Sequence, residues 1–139
     1  MKTPPIPSYL NTEVNNKGKM HMKILLVDDN PKIRQMMSDL LKSHLLQIHE
    51  CADGFKAIEM YRKLQPDWVL MDLKLETMDG ITATKHIHNE YPQSKIVVVS
   101  SYGDDQFRNA AKRAGALAYV LKDNLRDVIG VLQQPIIQN

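Results

Sequence analysis

Four short apolar runs in this chain each end on a side chain able to do chemistry. Asp28-Asp29 end Ile24-Leu25-Leu26-Val27, and Asp72 ends Trp68-Val69-Leu70-Met71. Ser100-Ser101 end Ile96-Val97-Val98-Val99, and Lys122 ends Tyr119-Val120-Leu121. If the runs are parallel neighbours in one sheet, three carboxylates, a hydroxyl and an ammonium meet at its carboxyl edge, where open α/β sheets keep their ligand crevice. That inventory suits a divalent cation and a phosphoryl group. Clustered carboxylates repel one another and raise at least one pKa unless something compensates. A hard cation such as Mg²⁺ compensates, because it takes oxygen ligands and is held by one or two carboxylates beside phosphoryl oxygen. Asp29 and Asp72 are therefore expected as direct ligands and Asp28 as a direct or water-mediated one. Asp72 would attack phosphorus to form an acyl phosphate. Lys122 would neutralise one phosphoryl oxygen and Ser100 would donate a hydrogen bond to another, so that catalysis is mostly positioning and charge neutralisation.

The elements that must position these groups alternate regularly. Lys23–Val27 reads as a strand, and Asn30-Pro31 supplies a cap and a first-turn proline for a helix. The apolar positions of that helix, Ile33, Met36, Met37, Leu40 and Leu41, recur at helical spacing and are expected to pack in the core. Gln47–Cys51 is a weaker strand, and Asp53 caps a helix through Ala57, Ile58, Tyr61 and Leu64. Trp68–Asp72 and Lys95–Ser100 are strands whose continuous apolar character suits burial on both faces. Between them lies a helix after Asp79-Gly80, broken at Tyr91-Pro92. A helix from about Asp104 to Arg113, a strand at Leu117–Leu121 and a last helix from Asn124 to Leu132, stopped by Pro135, complete the pattern. Five strand–helix repeats predict a parallel sheet covered on both faces, a three-layer α/β sandwich with right-handed crossovers. Residues 1–22, rich in Pro, Asn and Lys, read as a flexible extension, with 23–134 as the domain and 135–139 as a tail. Met20 and Met22 leave room for a later natural start.

Composition excludes other classes. The net charge of +2 comes from dispersed acids and bases, with no Lys/Arg block of the kind that grips nucleic acid. The single cysteine, Cys51, rules out an internal disulfide and suits a reducing compartment. No apolar stretch approaches the roughly 20 residues that span a bilayer, and the start lacks a secretory h-region. A cytoplasmic location and no membrane partner are expected.

Together, Asp28-Asp29, Asp72, Ser100 and Lys122, each after its own strand, resemble the receiver domain of two-component response regulators. Tyr119, three residues before Lys122, resembles that family's aromatic switch position, and Met78-Asp79-Gly80 its turn after the phosphoacceptor loop. The resemblance covers Lys23 to about Leu132. It implies a flavodoxin-like (βα)5 fold with strand order 2-1-3-4-5 and adds the main-chain carbonyl of Lys74 as a metal ligand. It also implies that Ser100 and Tyr119 move together on phosphorylation and that the phosphoryl donor is a histidine kinase or phosphotransfer protein. The output surface lies on the helix after Ser100 and on the last strand and helix, with homodimerisation common and no dedicated enzyme activity. Lys74 and Tyr102, two residues after Asp72 and Ser100, are expected to tune hydrolysis.

Two residues depart from the family pattern. Glu76 stands where many receivers have proline, and Asp123 stands where many have the proline of a cis peptide. Lys122-Asp123 instead resembles the branch whose receivers precede a helix-turn-helix domain. The 139 residues hold no such domain, so no DNA binding by this chain itself is expected, and it is either a single-domain receiver or the front of a longer regulator.

Duller roles exist for each residue. Asp28 and Asp29 resemble helix caps, Lys122 a solvated lysine, Ser100 a strand-end hydroxyl and Tyr119 a half-buried core aromatic. Only the site explains why they converge. His44, His49, His86 and His88 have no partner at ligand spacing and read as surface or packing residues. An enzyme of the haloacid dehalogenase type would carry a second Asp where Lys74 stands, and no GxGxxG or GxxxxGK[ST] loop supports a nucleotide or flavin binder. A receiver-like interaction module that is never phosphorylated is the remaining alternative.

Overall fold

The computed structural model describes residues 22–42 and 46–133; the extension before Met22, His44, Pro135 and the tail lie outside them. Five strands, β1 (Met22–Val27), β2 (Leu46–Cys51), β3 (Trp68–Asp72), β4 (Ile96–Ser100) and β5 (Ala118–Leu121), form one parallel sheet of order β2-β1-β3-β4-β5. Five helices alternate with them: α1 (Pro31–Leu41), α2 (Gly54–Leu64), α3 (Gly80–Glu90), α4 (Asp105–Ala114) and α5 (Asp127–Gln133). This is the three-layer architecture the sequence predicts.

Alternation along the buried strands divides the core. Ile24 and Leu26 of β1, Leu70 of β3 and Val97 and Val99 of β4 face α1 and α5, meeting Met37, Leu41, Val128 and Leu132. Their neighbours Leu25, Val27, Val69, Met71 and Ile96 face the other way, onto Ala57, Ile58 and Tyr61 of α2 and Ala83 and Ile87 of α3. Each such aliphatic side chain contributes about 1.5–3 kcal/mol on burial, so both faces of the sheet are committed and its register is fixed.

That register sets the site. Val27 is level with Met71, so Asp28 and Asp72 emerge together one residue later. Asp72 is level with Val99 of β4, and Ser100 with Leu121 of β5. Ser100 and Lys122 therefore leave the sheet just beyond the two acids.

Asn30 and Asp53 cap their helices as the sequence predicts, and Asp79 caps α3. The side chains of Asn30, Asp53 and Asp79 accept main-chain N–H bonds from Lys32, Lys56 and Thr82, each worth about 1 kcal/mol. Two boundaries and one core position differ. Met22, assigned to the extension, is buried and opens β1. The last helix starts at Asp127 rather than Asn124, because Lys122–Asn124 forms a 3-10 turn. Bonds from Val128 N–H to the Leu125 carbonyl and from Ile129 N–H to the Arg126 carbonyl keep this tighter winding at the helix entry. Finally, Met37 is core but Met36 is 54% exposed, since one residue is about 100° of helix rotation and only the Met37 side meets the sheet.

Candidate functional site: an acidic pocket at the carboxyl edge of the sheet

Asp28 and Asp72 are buried, at 0% and 4% exposure, whereas Asp29 beside them is open to solvent. Carboxylate oxygens of all three lie within 4.8 Å of one another. Lys122 reaches across from the end of β5, its Nζ 2.9 Å from Asp28 Oδ2 and 3.2 Å from Asp72 Oδ1. Capping of α1 falls to Asn30, whose Oδ1 accepts from Lys32 N–H, so Asp28 and Asp29 are free of that duty. Asp28 Oδ1 accepts from Asn30 N–H at 2.8 Å, which aims its Oδ2 into the pocket. Oδ2 forms a close charge pair with the Lys122 ammonium and has no further partner among the described residues.

Electrostatics follow from this crowding. Burial pushes the Asp72 carboxyl up to about 6, and the Asp28 charge pushes the same way; Lys122 and the Lys74 main-chain N–H, which donates to the carboxylate, resist. Burial would depress Lys122, but its contacts with Asp28 and Asp72 outweigh that and hold it above its ordinary value. Three carboxylates face one ammonium. A hard divalent cation suits this donor set: the oxygens are clustered and anionic, and Asp28 Oδ2 is a buried acceptor without a directed donor.

Backbone fit around Asp72 is tight. Gly80 N–H donates to the Leu73 carbonyl at 2.9 Å, and a Cβ at Gly80 would lie 1.8 Å from the Asp72 carbonyl oxygen. Only glycine permits this approach, which gives a physical reason for the Met-Asp-Gly turn.

Ser100 is buried and its Oγ accepts from Tyr102 N–H at 3.0 Å, leaving its own proton free to donate. Tyr119 is half-buried, and its hydroxyl donates to the Tyr102 carbonyl. Ser100 and Tyr119 therefore hold the same residue, Tyr102, from two sides. Lys74 is exposed, with its side chain over the rings of Tyr102 and Phe107. Glu76 is exposed, and no cis peptide occurs among the described residues, as the Asp123 substitution predicts.

Other expectations fall outside the pocket. His86 is exposed and His49 and His88 are half-buried, apart from the acidic cluster. Burial raises the Cys51 thiol to about 11, so it stays protonated. Sequence reasoning missed Arg34, whose Nη1 donates to the Asp28 carbonyl at 2.6 Å while its Nε pairs with Glu50 at 3.0 Å. It also missed Phe107 and Arg108; the latter stacks 4.8 Å over Tyr119 and donates to the Gly103 carbonyl. A lone phenylalanine among the alanines and polar residues of α4 was the available signal.

Comparison with known proteins agrees with the geometry. Residues 24–132 match the response regulator receiver domain family. The chain belongs to that family. The transcriptional regulatory protein LiaR of Bacillus subtilis strain 168 is 39% identical over 103 residues, 73% of this chain and 49% of LiaR. The response regulator protein VraR of Staphylococcus aureus is 38% identical over 105 residues, 74% of this chain and 50% of VraR. The chain spans about half the length of these relatives. Among solved structures, a two-component response regulator of the LuxR family from Aurantimonas sp. SI85-9A1 superposes with a TM-score of 0.73. It is 32% identical, with 79% of this chain and 84% of that one covered. The chemotaxis protein CheY4 of Vibrio cholerae gives 0.76 at 26% identity, covering 81% and 97%. The receiver is thus a signalling module of two-component systems. No helix among the described residues is long and apolar enough to cross a membrane.

Proposed function

We propose that this receiver accepts a phosphoryl group on Asp72 from a histidine kinase or phosphotransfer protein in the cytoplasm, and that the modification resets its output surface. One observation carries the reading: Asp72 is buried, paired with Lys122, and crowded by two further carboxylates. Asp28, Asp29, Asp72 and the Lys74 carbonyl would hold Mg²⁺, whose charge relieves the acidic cluster and draws the phosphoryl oxygens.

The chain's own groups then act in order. Asp72 attacks phosphorus in line; its carboxylate oxygen bonds to phosphorus as the bond to the donor imidazole breaks, and the imidazole keeps the electron pair. Lys122 takes a phosphoryl oxygen. Ser100 turns its free proton to another, and since its Oγ holds Tyr102 N–H, any movement of Ser100 is felt at Tyr102. Tyr119 bonds the carbonyl of that same residue, which supports a switch shared with Ser100. The signal then spreads over α4, β5 and α5, where an output partner or a second copy would dock. The name of LiaR, a transcriptional regulatory protein, favours a transcriptional output.

Intact-protein mass spectrometry after incubation with acetyl phosphate tests this. A single adduct is expected with Mg²⁺ and none with a chelator. Uptake indifferent to the metal would remove Mg²⁺ from the account. No adduct on folded, Mg²⁺-bound protein would favour a phosphorylation-independent interaction module.

A further inference from the structure

The loop that carries Asp28 and Asp29 is tied down by a group that the proposed transfer does not use. Arg34, in the first turn of α1, turns its guanidinium back to that loop. Its Nη1 donates to the Asp28 carbonyl at 2.6 Å, and its Nε donates to Glu50 Oε1 at 3.0 Å. Glu50 lies near the end of β2, beside Cys51, whose carbonyl accepts Asp28 N–H at 3.2 Å. Arg34 N–H in turn donates to the Asn30 carbonyl at 3.2 Å. One residue thus joins the end of β2, the β1–α1 loop and α1. The Arg34 side chain is 19% exposed and that of Glu50 41%. The contact with the carbonyl is therefore the sheltered one, and the carboxylate end is the one open to screening.

A planar peptide ties the Asp28 carbonyl to Asp29 N–H. Holding that oxygen fixes the plane from which Asp29 departs. Asp29 is open to solvent, so its direction is set by backbone rather than by packing. We propose that Arg34 is a positioning residue for the cation pocket. It clamps the Asp28–Asp29 peptide so that both carboxylates are aimed before the cation arrives, and Glu50 anchors the clamp. The inference rests on Asp28 and Asp29 holding Mg²⁺. Charge and geometry oppose one another here. A guanidinium close to Asp28 repels a divalent cation, so by charge alone its removal would tighten binding. Loss of the clamp frees the two ligands and weakens binding, as loss of groups that orient metal ligands does. The sign of the change separates the two effects.

Isothermal titration calorimetry of Mg²⁺ into the full chain reads that sign without any phosphoryl donor. Arg34→Met keeps the stem and removes both donors. It should bind Mg²⁺ about tenfold more weakly than wild type, the lower end for such groups. Unchanged or tighter binding overturns the inference. Glu50→Ala should weaken binding about two- to threefold, as suits an exposed pair, and should add nothing in the Arg34→Met background. Equal loss in both backgrounds would mark a plain charge effect and overturn the anchor. If circular dichroism shows Arg34→Met unfolded, Arg34→Lys takes its place. Its ammonium keeps the charge without the fork that spans both acceptors, so weaker binding is expected and wild-type affinity contradicts the clamp. With acetyl phosphate, the adduct on Arg34→Met should rise towards the wild-type yield as Mg²⁺ is raised. A deficit that Mg²⁺ does not relieve would mark general damage to the pocket and count against the clamp. A wild type that takes up no Mg²⁺ sinks the metal reading and this one together, whereas Mg²⁺ binding that ignores Arg34 sinks this one alone.

Discussion

Strand β3 carries an aspartate at each end, and the two teach opposite lessons. Asp67, just before the strand, accepts Lys23 N–H at 2.7 Å, and Asp67 N–H donates to the Lys23 carbonyl at 2.8 Å. This half-buried acid clasps β1 to β3 through both its side chain and its main chain. Asp72, five residues later, is packed against two more acids and a lysine, with its carboxyl raised to about 6. One end of the strand uses an acid to hold the fold. The other keeps an acid that the fold alone would be better without, as expected where stability is given up for chemistry.

Substitutions at or beside the two acids sharpen this contrast. The largest effect on stability belongs to Gly80→Ala, because the new Cβ would sit 1.8 Å from the Asp72 carbonyl oxygen and the backbone must move. About 3 kcal/mol of destabilisation is expected in urea unfolding, the upper end for overpacking. Phosphoryl uptake should fall with it. A helix-propensity gain alone would instead stabilise the protein.

Next comes the charge at position 72. Its folded pKa of about 6 exceeds the unfolded value of about 3.9, so the folded state binds the proton more tightly. Without metal, the stability this confers is fully present below about pH 4. It is lost as pH rises through about 6, and at pH 7 the ionised acid weakens the fold by up to about 3 kcal/mol. Asp72→Asn, assayed with a chelator, should therefore be more stable than wild type at pH 7 and nearly equal to it at pH 4. Equal stabilities at both values would mean the pocket tolerates the charge already. Mg²⁺ should stabilise wild type in proportion to its saturation and do much less for the asparagine variant.

The smallest effect is at the other end of the strand. Asp67→Ala removes the clasp on Lys23 N–H and should cost about 1 kcal/mol, with phosphoryl uptake and Mg²⁺ response intact. Loss of uptake there would erase the distinction between the two acids.

Much of the pocket was legible in sequence because it depends on strand ends. An apolar run that stops at a charge marks where a buried strand meets solvent, and parallel topology gathers such ends on one edge. Asp28, Asp72, Ser100 and Lys122 follow from that logic. What could not be read depends on side-chain direction. Nothing in the order of residues says that Lys74 turns toward Phe107, that Tyr119 bonds the Tyr102 carbonyl, or that Arg34 returns to Asp28, because these contacts join segments whose distance is set only by folding. Met36 and Met37 show the same limit: both are apolar at helical spacing, yet only one faces the sheet. The start of α5 was misplaced because Asn124 is a good cap by type but lies inside a 3-10 turn.

The central claim is that Asp72, unlike Asp67, does chemistry. Wild type, Asp72→Asn and Asp67→Asn should be incubated side by side with acetyl phosphate and Mg²⁺ and weighed intact. A single phosphoryl adduct on wild type and Asp67→Asn, absent from folded Asp72→Asn, is the predicted result. An undiminished adduct on Asp72→Asn would place the phosphoryl group elsewhere and contradict the account.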